Sequence, residues 1–263
     1  MKYNNKLFDT HVHINTKPFI DDIENVMKQA KEQNVEKMLC IGFDMESSLK
    51  AIDLAYRYPE RVYAAIGLHP TEVNDISQDD MDRFENMLHE PCVVALGEIG
   101  LDYHWDTVKP NIQKEYFIKQ IRLAKKVNLP IIIHSRDAIQ DTFDILKAED
   151  IKSIGGIMHS YSGSLEMAKE FIKLNMLISL SGVVTFKNAK STKMVAQNIP
   201  LDKLLIETDC PYLTPVPYRG QTNYPWYVKY VAQEIADIKE ISYEEVCNTT
   251  FKNALKIFKI EEV

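Results

Sequence analysis

Nothing in this sequence reads as a membrane anchor, a disulfide framework or a broadly basic coat for nucleic acid. No uncharged apolar run approaches the roughly 20 residues that a bilayer span requires, and residues 1–5 carry no apolar leader core, so the expected location is the cytoplasm. Cysteine is sparse: Cys40, Cys92, Cys210 and Cys247 stand far apart with no C-x-x-C spacing. They read as reduced thiols packed as small hydrophobes, with Cys210 the one thiol next to candidate chemistry. Positive charge is also short. Against 31 Lys and Arg there are 38 Asp and Glu, a formal charge of -7. That balance excludes a protein that covers duplex through one broad cationic face and leaves room only for a local basic groove. No low-complexity tract, linker or break in composition divides the chain, and barrels of alternating strands and helices commonly fill about 250 residues as one unit.

What is present is a period. Short apolar runs recur at 6–13, 37–42, 62–69, 93–103, 130–136, 154–160, 176–184 and 204–209, separated by helix-length amphipathic stretches. Between the fourth and fifth runs, Phe117, Ile121, Ala124 and Asn128 fall at helical spacing and form the expected docking stripe. The last helix opens at Ser242 with Glu245 three positions on, a capping-box pattern, and carries Cys247, Phe251, Ala254, Leu255 and Phe258 on one side. The fold class expected is α/β, a single-domain TIM-type (β/α)8 barrel over residues 1–263, with an open doubly wound sheet as the competing architecture.

The polar residues at the ends of these runs favour the barrel, because barrel chemistry gathers at the C-terminal ends of several strands around one mouth. Those positions hold His11 and His13, then His69, Glu98, His134, His159 and Asp209. Five of the seven histidines stand at run ends, and His89 and His104 do not. In residues 9–13, Asp-Thr-His-Val-His, period-two alternation puts Asp9, His11 and His13 on one strand face and Thr10 and Val12 on the other. Four imidazoles and two carboxylates suffice for two divalent ions roughly 3.5 to 4 Å apart. The assignment is His11, His13 and Asp209 to one ion, His134 and His159 to the other, and Glu98 between them. The open positions suit a hydrolytic site in which activated water attacks the substrate, Glu98 and Asp209 being the catalytic carboxylates and Asp209 taking or orienting the proton. Imidazole favours zinc, manganese, nickel or iron over magnesium.

Seven ordered motifs resemble those of the TatD family of metal-dependent deoxyribonucleases, within the amidohydrolase-like metal barrels. They are Asp-Thr-His-Val-His at 9–13, Gly-Leu-His-Pro at 67–70, Gly-Glu-Ile-Gly-Leu-Asp-Tyr at 97–103, His-Ser-Arg-Asp at 134–137, His-Ser-Tyr-Ser-Gly at 159–163, Glu-Thr-Asp-Cys-Pro-Tyr at 207–212 and Arg219-Gly220. The resemblance spans the chain. It implies a binuclear site with His11, His13, Glu98 and Asp209 on one ion and Glu98, His134 and His159 on the other. It also implies hydrolysis of nucleic-acid phosphodiesters, often from the 3′ end. Ile99 and Tyr161 stand where relatives often have cysteine and phenylalanine.

Around the metals, His69, Arg136, Tyr161 and Arg219 are expected to meet phosphate or sugar, and Glu207, of the same strand parity as Asp209, to orient a ligand histidine from one layer deeper. Lys187, Lys190 and Lys193 could guide a strand of DNA. Tyr103, Trp105, Tyr218, Tyr224 and Trp226 could stack an unpaired base. The expected substrate is nucleic acid, DNA ends or single strands, with no membrane and no stable protein partner inferable. A hydrolase of the same barrel type acting on an ester, amide or aminoacyl-tRNA link is the alternative that the ligand set leaves open, because such metals polarise carbonyls as well as phosphoryl groups.

Overall fold

Each apolar run pairs in parallel with the next one in sequence. In this computed structural model, which describes residues 5–261, the strands are β1 (Leu7–Val12), β2 (Val35–Gly42), β3 (Val62–Ile66), β4 (Val93–Asp102), β5 (Ile131–Arg136), β6 (Gly156–Met158), β7 (Met176–Leu180) and β8 (Leu204–Ile206), in that order across one sheet. Past the end of β8 the sheet closes on itself. Val12 and Cys210 form a parallel bridge, Asp209 N donates to His11 O at 2.9 Å and His13 N to Cys210 O at 3.0 Å. The architecture is the single-domain (β/α)8 barrel, and the open sheet is excluded. Residues 1–4, on which the expectation about a leader falls, lie outside the described residues. Among the described residues no helix is long and apolar enough to cross a membrane.

The helices α1 (Ile23–Glu32), α2 (Met45–Arg57), α3 (Gln78–Met87), α4 (Pro110–Val127), α5 (Ile139–Ala148), α6 (Leu165–Lys173), α7 (Lys190–Asn198), α8 (Val228–Lys239) and α9 (Tyr243–Ile257) fall between or after the strands. Their apolar stripes bury against the outward residues of the strands, such as Val12, Leu96, Ile99, Ile133 and Ile206. The inward residues Phe8, Leu39, Ile41, Ala65, Ala95, Ile132, Ile157 and Leu205 form a second core, closed by Phe251 from within α9 and Phe258 just past its end. Phe8 meets those two rings at 6.0 and 5.8 Å between centroids. The Ser242 hydroxyl caps α9 by accepting from Glu245 N.

Several run ends differ from expectation. The third, sixth and eighth strands stop at Ile66, Met158 and Ile206, short of the polar residues His69, His159 and Asp209 near or at their predicted ends, and the seventh stops at Leu180, short of the predicted Val184. Asn128 is not part of the α4 stripe. It takes a left-handed conformation (φ 57°) and ends the helix, a role its short side chain tolerates. The stripe instead includes Gln113 and Gln120, both buried. Gln120 binds Leu68 through both backbone groups, Leu68 N to Oε1 at 2.8 Å and Nε2 to Leu68 O at 3.0 Å. Gln113 does the same for Asp102, at 2.8 Å each way. Two turns of α4 thereby fix the chain beside two of the predicted site segments.

Candidate metal centre

Two bulges aim the ligands. Between Asp9 and Val12, β1 spends three steps against two on β2, and between Leu96 and Ile99, β4 spends three against two on β5. An extra residue in one strand re-aims the side chains beyond it. The alternation expected for β1 is therefore broken. Thr10 meets Ser179 and Ile206 O, and Asp9 accepts from Thr208 N at 2.8 Å and Thr208 Oγ1 at 2.6 Å, while His11 and His13 turn to the mouth. On β4 the bulge leaves Glu98, Gly100 and Asp102 sharing one face. Gly100 is required there: at φ 142° a Cβ would stand 2.0 Å from His134 O.

The structure brings His11, His13, Glu98, His134, His159 and Asp209 together. Glu98 spans the cluster, with Oε2 3.4 Å from His11 Nε2 and Oε1 3.4 Å from His159 Nε2 and 2.8 Å from His134 Nδ1. Asp209 Oδ1 is 3.3 Å from His13 Nε2 and 3.8 Å from His11 Nε2. Two atoms bound to one ion at about 2.0–2.1 Å, at right or tetrahedral angles, lie about 2.9 to 3.4 Å apart. His11 Nε2 is buried and makes no hydrogen bond among the described residues, although it faces two carboxylates. An unsatisfied polar atom so placed is costly unless something else occupies the space between. The donor set, the spacing and that orphan nitrogen all fit divalent metal. Ligand atoms group as His11, His13 and Asp209, as His11, Glu98 and His159, and as His69, Asp102 and His134, within 4.8 Å in each case.

The third group contains a residue that the sequence motifs alone did not single out. Asp102 Oδ2 lies 2.8 Å from His134 Nε2. Burial pushes the Asp102 carboxyl up, but the hydrogen bond and charge of His134 prevail and hold it below its ordinary value, so it is an ionised acceptor. It keeps the proton on Nε2 and turns Nδ1 to the cage. The signal was its parity with Glu98 inside the same motif. Glu207 stands in the corresponding place behind His159, with Oε1 2.7 Å from Nδ1 at an angle poor for a hydrogen bond, and the same oxygen accepts from Ser160 N at 2.9 Å.

The charges interlock. Burial raises the Glu98 carboxyl, but the imidazoles of His159 and His11 outweigh it and hold it well below the usual carboxylate range. Burial opposes the charged form of His159, yet Glu207 and Glu98 lift its pKa to about 10. Against the same opposition, hydrogen bonds to Asp102 and Glu98 lift His134 to about 9. Burial, then the charge of His159 stacked 3.6 Å away, lowers His11. Burial, then the charge of His134, lowers His69 to about 3. The Cys210 thiol is buried and pushed well above its ordinary value, mainly by burial, which makes it a packing residue.

At the rim the predicted contacts divide. His69 lines a mouth cavity of about 250 Å³ together with His13, Glu98, His134, Asp209 and the exposed Tyr212. Its Nδ1 accepts from Thr71 N, which puts the ring proton on Nε2, 4.0 Å from Glu98 Oε1. Arg136 and Arg219 are exposed and make no ion pair among the described residues. Their guanidinium carbons lie 5.6 Å over Trp105 and 3.8 Å over Phe186. Tyr161 is different: buried, with its hydroxyl donating to Ser164 O at 2.7 Å, it walls a neighbouring cleft of about 510 Å³ and has no free donor for substrate. Of the three lysines, Lys193 is paired with Glu234 at 2.6 Å.

A closed barrel whose mouth gathers imidazoles and carboxylates at ligand spacing defines a metal-dependent hydrolase. The family profile of TatD related DNase matches residues 8–259. The chain belongs to the TatD family. It is 49% identical over 254 residues to the uncharacterized metal-dependent hydrolase YabD of Bacillus subtilis, covering 97% of this chain and 99% of that one. To the uncharacterized metal-dependent hydrolase YcfH of Escherichia coli K12 it is 36% identical over 258 residues, covering 97% and 96%. The crystal structure of YJJV, a TatD homolog from E. coli K12, is similar with a TM-score of 0.92 at 31% identity, over 97% of this chain and 98% of that one.

Proposed function

We propose that the chain is a deoxyribonuclease that removes nucleotides from a DNA end, of the 3′-to-5′ type, using two divalent ions held by His11, His13, Glu98 and Asp209 on one side and Glu98, His134 and His159 on the other. The observation that carries the reading is Glu98, whose two oxygens face different imidazoles at 3.4 Å, as a bridging carboxylate requires. The DNase description of the matching family profile and the unpaired guanidinium of Arg136 support phosphodiester as the bond.

When bound, such a metal pair supplies an acidified water and positive charge for the phosphoryl and leaving oxygens. The residues do the rest. Asp209 stays ionised, because the hydrogen bond from His13 and the charges of His159 and His11 outweigh its burial. With Oδ1 turned to the imidazoles, its Oδ2 takes the proton of the attacking water. His69, neutral at working pH, donates from Nε2 to a non-bridging phosphate oxygen. Asp102 holds His134 in the orientation and tautomer the cage needs, and the carboxylate of Glu207, 2.7 Å behind His159, backs that ring with its charge.

The test is a panel of single-stranded DNA labelled at either end, duplex DNA, RNA, a small phosphate diester and small carboxylate esters, each with and without chelator. A chelator-sensitive ladder that shortens DNA from the 3′ end is expected. Cleavage of the carboxylate esters alone would overturn the proposal in favour of a carbonyl hydrolase.

A further inference from the structure

The loop after β4 presents one large aromatic to solvent. Trp105 is 54% exposed. Of the other loop aromatics, Tyr218 stacks on Tyr227 and Tyr224 on Trp226, each pair at 4.6 Å, and the Tyr103 hydroxyl donates to Asp141 at 2.7 Å, while Tyr212, exposed at the mouth cavity, stands edge-on to the His13 ring at 6.1 Å.

An exposed indole on a loop ordinarily moves with it, but this one is anchored. Asp102 Oδ1 accepts from the backbone N–H of His104 at 3.0 Å and of Trp105 at 3.3 Å. Asp102 itself is gripped by Gln113, and its Oδ2 holds His134. The Trp105 backbone is therefore one carboxylate away from the cage. On β5, Arg136 has the parity of His134 two residues earlier and lays its guanidinium over the indole, while Tyr103 N donates to Arg136 O at 2.9 Å. His104 stands edge-on to the indole at 4.8 Å, its Nδ1 3.4 Å from Asp137.

A fixed π-surface beside an unpaired cation, at the rim of a cage suited to a phosphate, matches one ligand chemistry: a flat ring that adjoins a phosphate and has a free face. An unpaired nucleobase has that free face, whereas bases stacked within a duplex do not. Resting on the nuclease reading above, we propose that Trp105 and Arg136 form a stacking subsite for an unpaired nucleobase next to the metal centre.

The test uses the full-length, metal-loaded protein carrying Trp226→Phe, which leaves Trp105 as its only tryptophan. Oligothymidylate with cleavage-resistant phosphorothioate linkages is titrated in while tryptophan emission is followed, with anisotropy of a labelled copy reporting binding independently. Binding of the single strand should quench Trp105, and blunt duplex of equal length should not. Trp105→Ala should weaken single-strand binding about tenfold, and Trp105→Tyr should restore most of it. If anisotropy shows binding while Trp105 emission stays unchanged, or Trp105→Ala binds as the parent does, the subsite is refuted and the nuclease reading stands. If no oligonucleotide binds to any form, both fail together.

Discussion

His134 lies between two carboxylates, 2.8 Å from Glu98 through Nδ1 and 2.8 Å from Asp102 through Nε2. One contact faces the cage and the other backs it. Removing the backing partner should leave the barrel intact while letting the ring turn. Asp102→Asn is expected to weaken binding of the proposed second ion about 10-fold and Asp102→Ala nearer 100-fold. Calorimetric titration of the metal-free variants measures this, and parental affinity in both would rule the role out.

Glu98 is the one residue shared by both proposed metal positions, so neither survives its loss. Glu98→Ala should abolish turnover and reduce bound metal, with far-UV circular dichroism unchanged. Activity near that of the parent in metal-defined buffer would contradict the bridging assignment.

Protons would compete with the proposed metal for His134 and His159. Their pKa values in the folded, metal-free protein are about 9 and about 10, above the roughly 6.5 of an unfolded chain. Their protonated forms therefore stabilise the fold fully below about pH 6.5, and that contribution is lost as pH rises through 9 to 10. The chelated protein should melt at progressively lower temperature from pH 7 to 10, while metal affinity rises over the same range. At pH 7.5 metal uptake should release protons. Equal binding enthalpies in two buffers of different ionisation heat would show that it does not.

Gln120 supports His69 from below by satisfying both backbone groups of Leu68. Gln120→Ala leaves a buried donor and a buried acceptor unpartnered, at about 1–3 kcal/mol for each group. The melting temperature should drop by several degrees, and Gln120→Glu should recover only the N–H contact. A Gln120→Ala protein as stable as the parent would mean that water replaces the amide.

The eight strands and their order were readable because apolar runs at even spacing leave few alternatives once crossovers must be right-handed. The polar strand ends were readable too, since His69, Glu98, His134, His159 and Asp209 interrupt otherwise apolar runs. The bulges were not, because a period of two cannot announce its own extra residue, and so Asp9 was placed with His11. Asp102 carried the parity signal, but nothing in sequence says that His134 turns its second nitrogen there. Gln113 and Gln120, seven positions apart on an apolar helix face, were visible as polar residues without any hint of what they grip. Exposure was least legible: Trp105 and Trp226 look alike in sequence, and only tertiary packing sends one into an aromatic stack and the other into solvent.

The seam where the last strand meets the first runs through the cage, with His11 and His13 on one side and Asp209 on the other. An ion gripping all three would rivet together two stretches of chain about 200 residues apart, a tether that removes far more freedom from the unravelled polypeptide than a local clip does. The cofactor would then be a fastener as well as a reagent, and a cell starved of it would hold a less firmly closed barrel along with an idle mouth.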